Sequence, residues 1–399
     1  MSKLTSKALP VHGISSADSR ESWSPENVLV GNVGSITDKT VAALIPAKDE
    51  ELCIAETIES LAVDQGVEHV YVVSDGSSDR TAEVALEAGA KVLKLESNVG
   101  KALAIKKGLE HFSLCERYPY IGIFDSDVVC EPGYLPSCAG RFQEGVACVI
   151  GRIDTHWVPK NGWVAYRTFA LWNYQWSMRR PQSVLKAINI TPGSNSVFRA
   201  DVLARIDWDE CVRYRTEDYR YTVQIYRDKM GEIVYHPDSP AAILQDPTSF
   251  RDYYKQFDRW MHGLWGVNIT QRVGFRLTRF DIWSLVHTLN WMYLSLAPLV
   301  WTLMYVAWRR WELAAQVLPW FIAYQVVIYV ALVGVCAVQK RRYSLLAWIP
   351  FFIFVARLES FIFVAALFKA FRRPRVAGRW TSPDRVSLEK GGEELVRTT

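Results

Sequence analysis

The chain has 399 residues, half of them hydrophobic, and a formal charge of +4. The segment after Phe368 carries eight Lys/Arg against four Asp/Glu, so it holds the whole excess and the rest is balanced. That balance argues against a nucleic-acid-binding body, whereas basic residues beside an apolar span mark a lipid-facing surface.

The seven cysteines (Cys53, Cys115, Cys130, Cys138, Cys148, Cys211 and Cys336) are scattered and form no C-x-x-C pair. They read as reduced core residues of a cytosolic-side domain, neither a disulfide framework nor a zinc site.

Residues 1–40 are polar, lack the apolar run of a secretory signal, and read as a mobile arm. The pattern then alternates. A strand is expected over Val41–Ile45 and a helix over Glu50–Leu61, where Leu52, Ala55, Ile58 and Leu61 have helical spacing. A strand over His69–Ser74 leads to a helix over Thr81–Ala88, ended near Gly89. A strand over Lys91–Leu95, a helix over Lys101–Phe112 and a strand over Tyr120–Phe124 complete the series. Such alternation predicts an α/β fold with a mostly parallel sheet covered on both faces. Ligands of these sheets bind beyond the carboxyl ends of the strands, where Pro46, Asp75 and Asp125 fall. The aromatics Tyr166, Phe169, Trp172 and Trp176, with Asn173, read as the buried or membrane-facing stripe of a helix.

Three long apolar stretches follow: Ile282–Trp308, Leu313–Val338 and Leu345–Phe368. Each exceeds the roughly 20 residues needed to span a bilayer, and Trp283, Trp308 and Trp311 suit an interfacial belt. With the preceding domain on the cytosolic side, three crossings place Arg372-Arg373-Pro374-Arg375 outside, against the positive-inside rule. Arg357 and Glu359 also interrupt the last stretch, where ionisable residues are costly. One stretch is therefore a candidate for a re-entrant or interfacial segment.

Asp125-Ser126-Asp127 directly follows the apolar strand Tyr120–Phe124. Two carboxylates one residue apart offer hard oxygen ligands for Mg²⁺ or Mn²⁺ beside a substrate phosphate. The pair alone is a weak signal, since Asp207-Trp208-Asp209 repeats it. Context separates the two. Asp75-Gly76-Ser77-Ser78-Asp79 lies upstream, and Thr216-Glu217-Asp218 and Gln256-Phe257-Asp258-Arg259-Trp260 lie downstream.

This ordered set, spanning roughly Val41 to Trp260 and followed by apolar stretches, resembles the membrane-bound family 2 glycosyltransferases of GT-A fold. The family includes cellulose, chitin, hyaluronan and poly-N-acetylglucosamine synthases, with ceramide glucosyltransferases related to them. The resemblance implies a Rossmann-like GT-A catalytic domain over residues 41–250. An interfacial Q-x-x-R-W segment over 251–281, a membrane region of about three helices over 282–368 and a basic polar tail over 369–399 would follow. It further implies inverting, metal-dependent transfer from a nucleotide-sugar, a UDP-sugar, to a glycan at the membrane, as in a polysaccharide synthase. The alternative is a single transfer to a membrane lipid.

By the same resemblance Pro46, Ala47, Asp49, Glu50 and Asp75 line the nucleotide pocket, although Asp49 stands where the family has Asn. Lys101 of Asn98-Val99-Gly100-Lys101 would offset diphosphate charge. Asp125 and Asp127 would hold Mg²⁺ or Mn²⁺, with Asp125 also touching the donor. Asp218 would be the general base, assisted by Glu217. Gln256 and Arg259 would contact the diphosphate. Trp260, Ser194 and Asn195 would face the acceptor. The expected setting is the membrane, with the catalytic domain cytosolic and no nucleic-acid partner.

Overall fold

The computed structural model describes residues 40–156 and 161–376, plus two short paired strands further on, Val386–Ser387 and Val396–Arg397. The expected arm over 1–40 lies almost wholly outside the described residues.

β1 (Val41–Ala47) leads through α1 (Ile54–Gln65) to β2 (Val70–Asp75), and α2 (Thr81–Glu87) leads to β3 (Lys91–Leu95). α3 (Lys101–His111) and the one-turn α4 (Leu114–Arg117) precede β4 (Tyr120–Phe124). β5 (Val128–Cys130), α5 (Tyr134–Ala139) and β6 (Val146–Thr155) follow. α6 (Gly162–Asn173) runs through a π-helical turn, Tyr174–Arg179, into α7 (Arg180–Val184). β7 (Asn195–Arg199), α8 (Ala200–Ala204), α9 (Trp208–Cys211), α10 (Glu217–Arg227) and β8 (Glu232–Ile243) complete the sheet region. Four long helices remain: α11 (Phe250–Gln271), α12 (Arg279–Ala307), α13 (Trp311–Gln339) and α14 (Ile349–Arg372).

The eight-stranded sheet has the order β3-β2-β1-β4-β7-β6-β8-β5. β3, β2, β1 and β4 are mutually parallel, and β6 is parallel to β8. β7 runs antiparallel to β4 and β6, and β5 antiparallel to β8. The mostly parallel α/β architecture is therefore present, with antiparallel insertions after Phe124. β1 is buried along its whole length. Ala42 and Leu44 join the core on one face, and Val41, Ala43, Ile45 and Ala47 the core on the other. Burial on both faces explains an apolar run without polar alternation.

The largest shift from the expected bounds is at α1. The helix expected from Glu50 begins at Ile54. The Glu50 N–H donates to Thr81 Oγ1 at 2.7 Å and the Glu51 N–H to Asp79 at 3.1 Å, so this backbone is committed to the turn after β2.

The helical stripe on α6 is buried. Tyr166, Phe169 and Trp172 join a third core with Tyr253 and Phe257 of α11 and Phe352 of α14. Phe169 stacks on Phe352 at 5.4 Å, while Trp176 remains 40% exposed. Two stretches, Trp311–Gln339 and Tyr343–Arg372, are long and apolar enough to cross a membrane by length and composition. α12 is as long as α13 but less apolar. All seven cysteines are free, and only Cys115 is not fully buried.

Candidate active site

Three loops leave the carboxyl ends of adjacent parallel strands, and side chains tie them together. Lys48 Nζ donates to the Gly76 carbonyl at 2.9 Å and pairs with Asp49 at 2.7 Å. Asp49 Oδ1 accepts from the Ser78 N–H at 2.7 Å and from its hydroxyl at 3.0 Å. Asp49 has φ 52°, in the left-handed region that Asn and Asp tolerate best. Aspartate and asparagine alike meet that backbone demand. Gly76, at φ 62°, is required by close approach, because a Cβ there would lie 2.6 Å from the Asn98 nitrogen.

Asp75 is wholly buried and accepts from the backbone N–H groups of Val99 (2.7 Å) and Gly100 (2.9 Å). Burial raises its pKa, and the two N–H groups oppose that rise. Its carboxylate therefore shapes the Asn98-Val99-Gly100 turn, which starts α3 and delivers Lys101.

Lys101 sits among acids. Its ammonium pairs with Asp125, lies 3.6 Å from Glu217 and donates to the Gly193 carbonyl at 3.3 Å. Burial alone lowers its pKa, but Asp125, Glu217 and Asp218 outweigh burial and hold it charged. Asp218, in the first turn of α10, is pushed up to about 7, by burial first and the Glu217 charge second. Lys101 and the Tyr219 N–H, at 2.8 Å, oppose that shift. A carboxylate poised near neutrality is suited to accept a proton at physiological pH.

Two contacts fix this helix end. The Thr191 N–H donates to Thr222 Oγ1 at 2.9 Å, tying α10 to the loop before β7. Gly263 lets α11 approach, since a Cβ there would lie 2.4 Å from Thr216 Oγ1.

A cavity of about 1070 Å³ joins these groups. Glu50, Lys101, Asp125, Asp127, Ser194, Glu217, Asp218, Gln256, Arg259 and Trp260 all line it. Pro46, Ala47, Asp49, Asp75 and Asn195 do not. Pro46 and Ala47 are the last residues of β1, and Asp49 and Asp75 shape the loops behind the cavity. Asn195 is buried and turns its amide to the Arg152 carbonyl at 3.4 Å. The cavity continues past Trp260 to His287 and Asn290 of α12 and Arg357 and Glu359 of α14.

Two lining residues escaped the sequence patterns. Arg167 lies over the Trp260 ring at 4.6 Å and pairs with Asp246 at 3.1 Å, so it supports one indole face. Arg179, 4% exposed, leaves Nε and Nη1 without hydrogen-bond partners among the described residues. Arg167 carries no local signature, because Trp260 and Asp246 are brought to it by tertiary packing, and Arg179 belongs to none of the motifs. Gly263 did leave a trace: a glycine inside a 22-residue helix costs roughly 1 kcal/mol in propensity.

Asp125, one-third exposed, and Asp127, 9% exposed, form a donor set of two carboxylates. Among the described residues no group of three or more His, Cys, Asp or Glu side chains is arranged to hold a metal. This fits a hard divalent cation that takes its remaining ligands from a diphosphate and water.

Residues 42–207 match the sequence profile of Glycosyl transferase family 2. This part of the chain is a family 2 glycosyltransferase domain. Asp218 and the α11 residues lie beyond the match. The poly-beta-1,6-N-acetyl-D-glucosamine synthase of Staphylococcus epidermidis is 23% identical over 397 residues, covering 88% of each chain. The beta-monoglucosyldiacylglycerol synthase of Trichormus variabilis is 24% identical over 274 residues, 64% of this chain and 56% of that protein. Among solved structures, the mannosyltransferase PcManGT of Pyrobaculum calidifontis, in complex with GDP-Man and Mn²⁺, superposes with a TM-score of 0.53. It is 18% identical and the match covers 80% of this chain and 86% of that one. The chain thus has a GT-A-like fold.

Proposed function

We propose that the chain is an inverting, metal-dependent glycosyltransferase that moves a sugar from a UDP-sugar to a growing glycan at the cytosolic face of a membrane. The observation that carries this reading is the meeting of Asp125, Asp127, Lys101, Glu217 and Asp218 in one cavity with the Q-x-x-R-W residues of α11.

The roles follow from position. Asp125 and Asp127 would hold Mg²⁺ or Mn²⁺, which would supply Lewis-acid neutralisation of the leaving diphosphate. Lys101 and Arg259 add fixed positive charge there. Asp218 takes the proton of the acceptor hydroxyl as that oxygen bonds to the anomeric carbon. The bond from that carbon to the diphosphate oxygen breaks, and its electron pair leaves with the diphosphate. Glu217 keeps Asp218 basic and keeps Lys101 in place. Trp260, braced by Arg167, offers its free face to an acceptor sugar, beside Ser194.

Likeness along most of its length to a named polysaccharide synthase supports a glycan acceptor. A second reading, one transfer to a lipid, is favoured by the extension of the cavity to α12 and α14. Membranes containing the protein, given radiolabelled UDP-sugars with Mn²⁺, should yield a product of high mass. A single labelled band extractable into organic solvent would select the lipid reading. No transfer from any UDP-sugar would reject both.

A further inference from the structure

We propose that Arg179 anchors a carboxylate subsite in the catalytic cavity, so that one of the two sugars brought together there carries a carboxylate. This rests on the nucleotide-sugar transfer proposed above and narrows its substrates to a class. The subsite lies in the part of the cavity lined by Tyr174, Met178, Arg179 and Asn189, apart from the Asp125–Asp127 pair.

The local fold presents this arginine. After Asn173 the helix α6 passes into the π-helical turn Tyr174–Arg179. Such turns are rare and occur often at functional sites. Gln175 pins the turn to β6: its Oε1 accepts from the Ile153 N–H at 2.8 Å, and its Nε2 donates to the Ile153 carbonyl at 2.6 Å. The Arg179 guanidinium then lies over the Tyr174 ring, 5.4 Å from its centroid. The Tyr174 hydroxyl donates to Asn189 Oδ1 at 2.8 Å, which leaves the Asn189 Nδ2 donors for another partner.

Arg179 is a buried cation without an anion. Its Nε and Nη1 have no hydrogen-bond partner, and no carboxylate pairs with it among the described residues. Tyr174, Met178 and Asn189 beside it are uncharged. A buried guanidinium left unpaired is costly, and a ligand anion removes that cost. Arg is also the side chain whose planar donors best match a carboxylate. One positive charge balances one carboxylate. A phosphate monoester, at about −1.5 to −2 near pH 7, would leave excess negative charge in the same buried place.

The position suits a substituent on a bound sugar. Asn189 opens the loop that carries Gly193 and Ser194, and the Gly193 carbonyl accepts from Lys101 Nζ at 3.3 Å. Gly193 is four residues beyond Asn189, a reach of about 14 Å at most. The start of the loop is fixed, because the Asn189 N–H donates to Oε1 of the wholly buried Gln182 at 3.4 Å. The guanidinium is therefore within the span of a short oligosaccharide from the groups around Lys101. The carboxylate arrives either on the donor sugar or on the acceptor, and the chemistry that recognises it is the same.

The test compares matched probes that differ only in a carboxylate: UDP-glucuronate against UDP-glucose, and free glucuronate against glucose with UDP and Mn²⁺ present. Affinities are measured by calorimetry on the full-length protein in detergent, for wild type and Arg179→Met. In wild type a glucuronate probe should bind at least about tenfold more tightly than its neutral twin, as one charge-assisted hydrogen bond provides. In Arg179→Met that ratio should fall close to one. A preference in the UDP-sugar pair assigns the carboxylate to the donor, and a preference in the free-sugar pair assigns it to the acceptor. Equal binding within both pairs in wild type would overturn the proposal, as would a preference that survives in Arg179→Met. The variant loses a charge that has no partner, so it should unfold at no lower temperature than wild type. A large drop would make Arg179 a structural residue and remove the subsite. Failure of wild type to bind UDP at all would instead overturn the transfer reading beneath it.

Discussion

The two halves of the cavity are built differently. The half proposed for the donor, at the ends of β1, β2 and β4, is held by short side-chain-to-backbone hydrogen bonds: Asp75 to Val99 and Gly100, Asp49 to Ser78, and Thr57 Oγ1 to the Ser126 carbonyl at 2.9 Å. The half proposed for the acceptor is assembled from helices by contacts between distant residues, such as Arg167 on Trp260 and Tyr253 on Glu359. The first half demands particular residues in particular turns. The second demands shape and charge that many sequences can supply. Donor chemistry should therefore respond sharply to single substitutions, and acceptor use should respond in a graded way.

The sharpest break is Asp127→Ala. Loss of one hard ligand beside the diphosphate should reduce transfer by about 10³-fold or more, since Lewis-acid stabilisation is worth several kcal/mol. Full activity in excess EDTA would remove the metal from the account.

Asp218→Asn comes next, with an expected loss of about 10²–10⁴-fold in turnover at unchanged UDP affinity. The base works deprotonated, so wild-type turnover should fall as pH drops through about 7, and the variant should lack that limb. The sign for stability is opposite. A carboxyl whose pKa is raised by folding binds its proton in the native state, so stability declines as pH rises from the ordinary carboxylate range towards 7. Thermal unfolding should accordingly show the Asn variant at least as stable as wild type at pH 8. A large loss of stability there would mean that Asp218 is structural.

Trp260→Ala probes the other half. Stripping the platform should weaken acceptor binding by about 1–3 kcal/mol, read as a raised acceptor KM, with a much smaller change in donor KM. Equal changes in both would erase the division between halves. The smallest effect is expected from Asp75→Asn. The shape is kept, but the amide NH2 can no longer accept from one of the two backbone N–H groups; because Asp75 lies behind the cavity, calorimetry should show UDP affinity lowered by about tenfold or less. A loss as large as that of Asp127→Ala would mean that Asp75 touches the nucleotide directly.

The same contrast explains what the sequence revealed. β1 to β4 and their loops were legible because strand periodicity, Gly76, Gly100 and the acidic pairs are local features. Asp75 was visible as a motif, but its engagement with the turn before α3 was not, because that depends on where Val99 and Gly100 fold back. In the acceptor half the Q-x-x-R-W pattern marked α11, yet Arg167 is 93 residues from Trp260 and Glu359 is 106 from Tyr253. Apolar length marked the last helices, but the partners of their polar residues, such as Tyr166 and Tyr253 around Glu359, are set by packing.

A metal-dependent donor site separable from the acceptor platform will show itself when UDP is titrated into the purified protein with and without Mn²⁺. Wild type, Asp127→Ala and Trp260→Ala should be compared in one calorimetric series. Mn²⁺ should tighten UDP binding by at least about tenfold, or about 1.4 kcal/mol, in wild type and Trp260→Ala but not in Asp127→Ala. Binding indifferent to Mn²⁺ in wild type, or lost equally in both variants, would contradict it.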